Sequence, residues 1–208
     1  MTRVKLTAYV VSIVYSLALF ITGLHLPGLA AKLVSLLPTV IVLAFAFFDS
    51  WLWRRAGINK RFHRPNLVGT WYGDLVSMQT DTNGREITAD PIPVVLAITE
   101  TFTTISVTLM TKESKSRSVA EQLVKNANGD HTLHYQYRNI PRLPLRDQSP
   151  EHAGSVVIDV PDLAPTTLDG EYWTNRRTRG TFAISHVSQQ TAGSFEAGEQ
   201  MTTAKGSK

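Results

Sequence analysis

Cysteine is absent from the 208 residues, so the folded part of the chain stands without disulfides. Asn-x-Ser/Thr acceptors are absent as well. There is no P-loop, no nucleophile elbow and no visible serine, histidine and carboxylate arrangement. The expectation is therefore a protein that is not an enzyme. His131 and His134 look like a metal pair, but three positions apart in a predicted strand they point to opposite faces, and no metal site is expected. Acidic residues are nearly missing ahead of Pro65, where eight Lys/Arg meet Asp49 alone, a balance of +7. From Pro65 onward 13 Lys/Arg meet 16 Asp/Glu, or −3. A general nucleic-acid binder spreads base over its folded domain, so the pI of 9.4 does not imply a DNA or RNA partner.

Charge is also missing from the run LTAYVVSIVYSLALFITGL that follows Lys5, which is about the length that spans a bilayer as helix. A second apolar run, Leu33 to Phe48, extends through Trp51, Leu52 and Trp53. Residues 1–53 are thus expected to form two transmembrane helices, at about 6–24 and 33–53. A cleaved secretory signal is the competing reading, weakened by the length of the first run and the second run behind it. Ala8, Ser12 and Ser16 give the first helix a small-residue stripe suited to close packing. Residues 54–64, with Arg54, Arg55, Lys60, Arg61 and Arg64, read as a basic juxtamembrane linker to anionic headgroups. By the positive-inside rule the protein would be multi-pass, with both termini and the following domain cytoplasmic.

Past Arg64, Val, Ile, Thr, Tyr and Phe recur in short alternating runs broken by Gly, Asn, Asp and Pro. Eight strands are predicted, near Val68 to Met78, Ile92 to Thr101, Thr103 to Lys112, Ser114 to Lys125, His131 to Asn139, Gly154 to Val160, Thr167 to Asn175 and Arg179 to Val187. Eight antiparallel strands without covering helices leave two edges unless the sheet closes. The expected fold class is all-β: an up-and-down, lipocalin-like barrel over 65–188 with room for one small ligand. Gly69-Thr70-Trp71 resembles the glycine-x-tryptophan start of such barrels. Thr82-Asn83-Gly84 and Asn126 to Asp130 supply turns, Ile140 to Pro150 a longer loop, and 189–208 a disordered tail.

Three arginines in four positions, Arg176, Arg177 and Arg179, sit where the seventh predicted strand turns into the eighth. A guanidinium fork matches phosphate oxygens in pairs, so the cluster reads as an anion site or, more plainly, as a solvated hairpin tip. If Tyr172 and Thr174 face the lumen, alternation carries Arg176 inward with them. Asn175 adds a polar side chain beside them. Tyr135 and Tyr137 share one face of the fifth predicted strand and offer flat rings for stacking bases, or for packing across the barrel wall.

Leu67-Val68-Gly69-Thr70-Trp71-Tyr72-Gly73, the run from Leu168 through Tyr172-Trp173-Thr174-Asn175-Arg176 to Gly180, and the order of parts together resemble the two-transmembrane, barrel-type effectors of CBASS antiphage systems, the CD-NTase-associated protein 15 type. The resemblance implies a bacterial inner-membrane protein whose cytosolic barrel binds a cyclic dinucleotide made by a partner nucleotidyltransferase. Binding would drive homo-oligomerisation, and the helices would then disrupt inner-membrane lipids and kill the infected cell. It also implies that Tyr172, Thr174 and Arg176 belong to the ligand pocket and that no cofactor beyond the ligand is needed. A membrane-tethered lipocalin-like carrier of lipid or fatty acid is the alternative, and a membrane anchor whose barrel only binds protein is a third.

Overall fold

The computed structural model describes residues 3–22, 29–55, 57–80, 85–145, 147 and 150–206. The Thr82-Asn83-Gly84 turn, residues 146, 148 and 149 of the Ile140 to Pro150 loop, and the last two residues of the helix expected at 6–24 lie outside them. The chain divides into two compact units, Met1–Ile58 and Asn59–Lys208. The second begins inside the stretch that the sequence suggested as a linker.

In the first unit α1 (Arg3–Thr22) and α2 (Leu29–Ser50) pack on each other. Ser16, from the small-residue stripe, is the one buried side chain described on α1. The transmembrane hairpin expected here is corrected: among the described residues no helix is long and apolar enough to cross a membrane. The helix α1 opens on Arg3 and Lys5, and α2 carries Lys32, an internal Pro38 and the buried Asp49. Both helices nonetheless present apolar side chains outward, among them Val11, Val14, Leu17 and Ile21 on α1 and Leu37, Val40, Ile41 and Phe47 on α2.

The second unit opens within a single helical turn, α3 (Ile58–Arg61), and continues as an antiparallel barrel. Its strands are β1 (Gly69–Thr80), β2 (Glu86–Thr88), β3 (Ile92–Glu100), β4 (Ile105–Met110), β5 (Ser114–Lys125), β6 (His131–Pro141), β7 (His152–Val160), β8 (Thr167–Thr174) and β9 (Arg179–Ser188). The eight predicted strands are present, each paired with its neighbour, and β9 pairs back onto β1 to close the ring. The addition is β2, a three-residue strip on the end of β1. Alternation is regular where both faces are committed: along β6, His131, Leu133, Tyr135, Tyr137, Asn139 and Pro141 are all buried.

One pole of the barrel is closed. Trp71 is fully buried there, its Nε1–H donates to the Leu67 carbonyl at 3.0 Å, and the His186 ring meets it edge-on at 4.9 Å. Leu96, Ile98, Val107, Leu133, Ile158 and Leu168 complete the apolar floor. The chain enters the barrel at this pole. Arg64 pairs at 2.9 Å with the fully buried carboxylate of Glu100, whose second oxygen accepts the Leu67 N–H, and Phe62 stacks edge-on against Phe102.

The tail is also corrected. In place of disorder the chain forms α4 (Phe195–Gly206). Phe195 and Ala192 bury against Val95, Ala97 and Met110 on the outer face of the sheet, a second small core that covers otherwise exposed apolar strand residues.

Candidate functional site

A cavity of about 590 Å³ opens at the pole opposite Trp71. Its size is within the ~300–1,000 Å³ range of small-molecule sites. The wall is made where β1, β4, β6 and β8 end and β3, β5, β7 and β9 begin, so every mouth hairpin contributes. Tyr135, Tyr137, Tyr172, Thr174 and Arg176 all line it. Tyr172 and Thr174 share the inward face of β8, and Arg176 reaches the cavity from the turn two residues beyond the strand end.

Three glycines keep the aromatic rings against the wall. Gly154 stands opposite Tyr137, Gly170 opposite Phe182 and Gly180 opposite Tyr172. A Cβ on Gly154 would come within 2.5 Å of the Tyr137 hydroxyl, and one on Gly180 within 2.7 Å of the Tyr172 ring. The rings lie in the space that side chains would otherwise occupy, which leaves the lumen open and ring surface toward it. Burial raises the pKa of all three tyrosines: Tyr135 well above the ordinary phenol value, Tyr137 to about 12, and Tyr172 upward with a partial offset from its hydrogen bond to Ser77. Each phenol keeps its proton at neutral pH and remains a donor. The Tyr135 hydroxyl is buried without a hydrogen-bond partner among the described residues.

At the β8–β9 tip the Thr174 hydroxyl oxygen accepts the backbone N–H of Arg176 at 3.1 Å and of Thr178 at 3.3 Å. It organises the turn that presents Arg176. The guanidinium of Arg176 lies 3.5 Å from His152 Nδ1, which is also 3.3 Å from the Pro150 carbonyl, and the His152 ring meets Tyr137 edge-on at 6.5 Å. Burial lowers the His152 pKa below the ordinary imidazole value; the Pro150 carbonyl opposes this and Arg176 reinforces it. At neutral pH the ring is neutral.

Three residues expected at the site lie outside the cavity lining. Asn175 closes the end of the β7–β8 ladder, its N–H donating to the Ala153 carbonyl and its side-chain oxygen accepting the Ala153 N–H. Arg177 occupies the left-handed position of the turn at φ 61°, where the chain reverses and strand alternation no longer applies. Arg179 starts β9 one residue before the inward Gly180 and so points outward. The structure adds lining residues that the sequence reading missed: Ser77, Lys112, Ser116, Asn139 and His152. Ser116 donates to the side-chain oxygen of Asn139 at 2.8 Å, a buried polar pair inside the wall. Inward parity on β6 was the available signal for Asn139; for Lys112 there was none, because hairpin tips have no parity.

A closed barrel with a polar, cationic mouth bearing three phenols is suited to an aromatic anion, and the family comparison agrees. The family model for "Cap15, cyclic dinucleotide receptor domain" matches residues 62–186. The chain belongs to this family. Two Cap15 relatives, both named CD-NTase-associated protein 15, are similar over most of their length. The protein from Yersinia aleksiciae is 27% identical over 165 residues, covering 78% of this chain and 74% of the relative. The one from Staphylococcus schleiferi is 28% identical over 149 residues, covering 72% and 74%. The chain is a Cap15-type CBASS effector that binds a cyclic dinucleotide, as the sequence resemblance implied.

Proposed function

We propose that the 590 Å³ cavity is where the cyclic dinucleotide binds, with a phosphate on Arg176 and bases against Tyr137 and Tyr172. The observation that carries this reading is the convergence of Arg176 and three protonated phenols on one cavity of a receptor-family barrel. Charge-assisted hydrogen bonds hold the phosphate, and ring faces hold bases without demanding a particular one. The barrel acts as a receptor, not a catalyst. Occupancy drives self-association of the protein, and the outward apolar side chains of α1 and α2, gathered in many copies, then act on the lipid of the bacterial membrane and breach it. The infected cell dies before the phage matures.

The lipid-carrier alternative fits less well, because Ser77, Ser116, Asn139, His152 and Arg176 line the space that an acyl chain would fill. Calorimetric titration of the full chain with cyclic dinucleotides and with a fatty acid separates the two readings. Saturable binding of a cyclic dinucleotide, and dye release from liposomes only when that ligand is present, is the expected result. Fatty-acid binding with no response to any cyclic dinucleotide overturns the proposal.

A further inference from the structure

A cyclic dinucleotide carries two phosphodiesters, one on each side of its ring, and Arg176 meets only one. Among the described residues two lysine or arginine side chains line the cavity, Arg176 and Lys112. They come from different hairpins. Arg176 is in the β8–β9 turn and Lys112 in the β4–β5 turn, and in the closed ring β1, β3, β4, β5, β6, β7, β8, β9 these turns are half the circumference apart. Both open at the mouth.

The two turns are also built alike. In the first, Thr174 accepts the backbone N–H groups of Arg176 and Thr178. In the second, the Thr111 hydroxyl oxygen accepts the backbone N–H of Glu113 at 3.1 Å and of Ser114 at 3.0 Å. Each tip is thus fixed by a threonine and presents a cation one or two residues further on. We propose that Lys112 is the second phosphate contact, so that the ligand spans the mouth with one phosphodiester on Arg176 and the other on Lys112. This rests on the reading of the cavity as the cyclic-dinucleotide site.

The Lys112 ammonium lies 5.8 Å from the centre of the Phe195 ring at the start of α4. A cation–π contact at an exposed site is weak enough to be exchanged for a phosphate, and the flexible lysine stem allows the swing. Glu113, next in the turn and also lining the cavity, opposes an anion there. Neutralising it should tighten binding.

The test is calorimetry on the full chain with cyclic di-AMP and cyclic di-GMP, alongside the linear dinucleoside monophosphates of the same bases. Lys112→Ala is expected to weaken the cyclic ligands by roughly tenfold to a hundredfold, as one charge-assisted bond is worth, and to flatten the salt dependence of binding. Lys112→Arg should restore most of the affinity, Glu113→Gln should improve it severalfold, and melting temperatures should stay together. A linear ligand has one phosphate, which Arg176 takes, so Lys112→Ala should leave its affinity unchanged. Wild-type affinity of Lys112→Ala for the cyclic ligands, or an equal loss for cyclic and linear ones, overturns the inference while the cavity reading stands. If the wild-type chain binds no cyclic dinucleotide, these two or a mixed purine or pyrimidine one, the cavity reading falls and this inference falls with it.

Discussion

Arg176 and Arg177 are neighbours in sequence with opposite surroundings, one lining the cavity and the other at the left-handed corner of the turn. Arg176→Ala is expected to reduce cyclic-dinucleotide affinity by roughly tenfold to a hundredfold with little change in melting temperature, since an exposed charge contributes little to folding. Arg177→Ala should bind nearly as wild type. The reverse order in calorimetry would show that the phosphate sits outside the barrel. At this scale the sequence was informative as far as strand alternation extends. Tyr172 and Thr174 could be assigned from period two; Arg176, in the turn, owes its place to the Thr174-fixed tip, and Asn175 could not be placed because its bonds to Ala153 depend on where β7 begins relative to β8. Lys112 and His152 were invisible for the same reason: one is in a turn and the other on the first residue of a strand behind a long loop.

The elements show which signals are strong. The eight barrel strands were legible because each carries enough β-branched and aromatic residues to mark its inner face. The short β2 has three residues and no apolar period, and α4 has an apolar content too low to stand out, so its anchor Phe195 looked like one more residue of a polar tail. The two apolar runs ahead of the barrel were read correctly as helices, but the membrane hairpin is corrected, because among the described residues no helix is both long and apolar enough to cross a membrane. The pairing of β8 with β9 is sensitive to a small change. The atoms nearest a Cβ on Gly170 are those of the Phe182 ring, so Gly170→Ala pushes that ring toward the lumen. Overpacking of this kind costs about 1–3 kcal/mol of stability. Because Phe182 lines the cavity, ligand affinity should fall along with the unfolding midpoint; retained affinity in a destabilised variant would show that the ring moves outward instead.

For the whole molecule, the division between units falls at residues 58 and 59, not at the end of the basic stretch. Arg64 belongs to the barrel: it pairs with the fully buried carboxylate of Glu100, which also accepts the Leu67 N–H. Glu100→Ala removes the carboxylate from a pair of which Arg64 is itself only 20% exposed. Breaking such a pair from one side costs about 3–5 kcal/mol, and denaturant unfolding of the full chain followed through Trp71 should show a loss of that size. A loss below 1 kcal/mol would mean that the pair is solvated and the closed pole is looser than described.

The barrel has poles with different duties, and the order of the chain fixes which is which. Residues 62–67 are anchored at the Trp71 end, while the cavity opens at the other. A ligand entering the cavity therefore does so at the pole away from residues 62–67, without disturbing the Arg64–Glu100 pair or the buried Trp71. The first groups such a ligand meets are at the rim, among them Thr174, Arg176 and Lys112, and the Trp71 pole feels it only through the barrel wall.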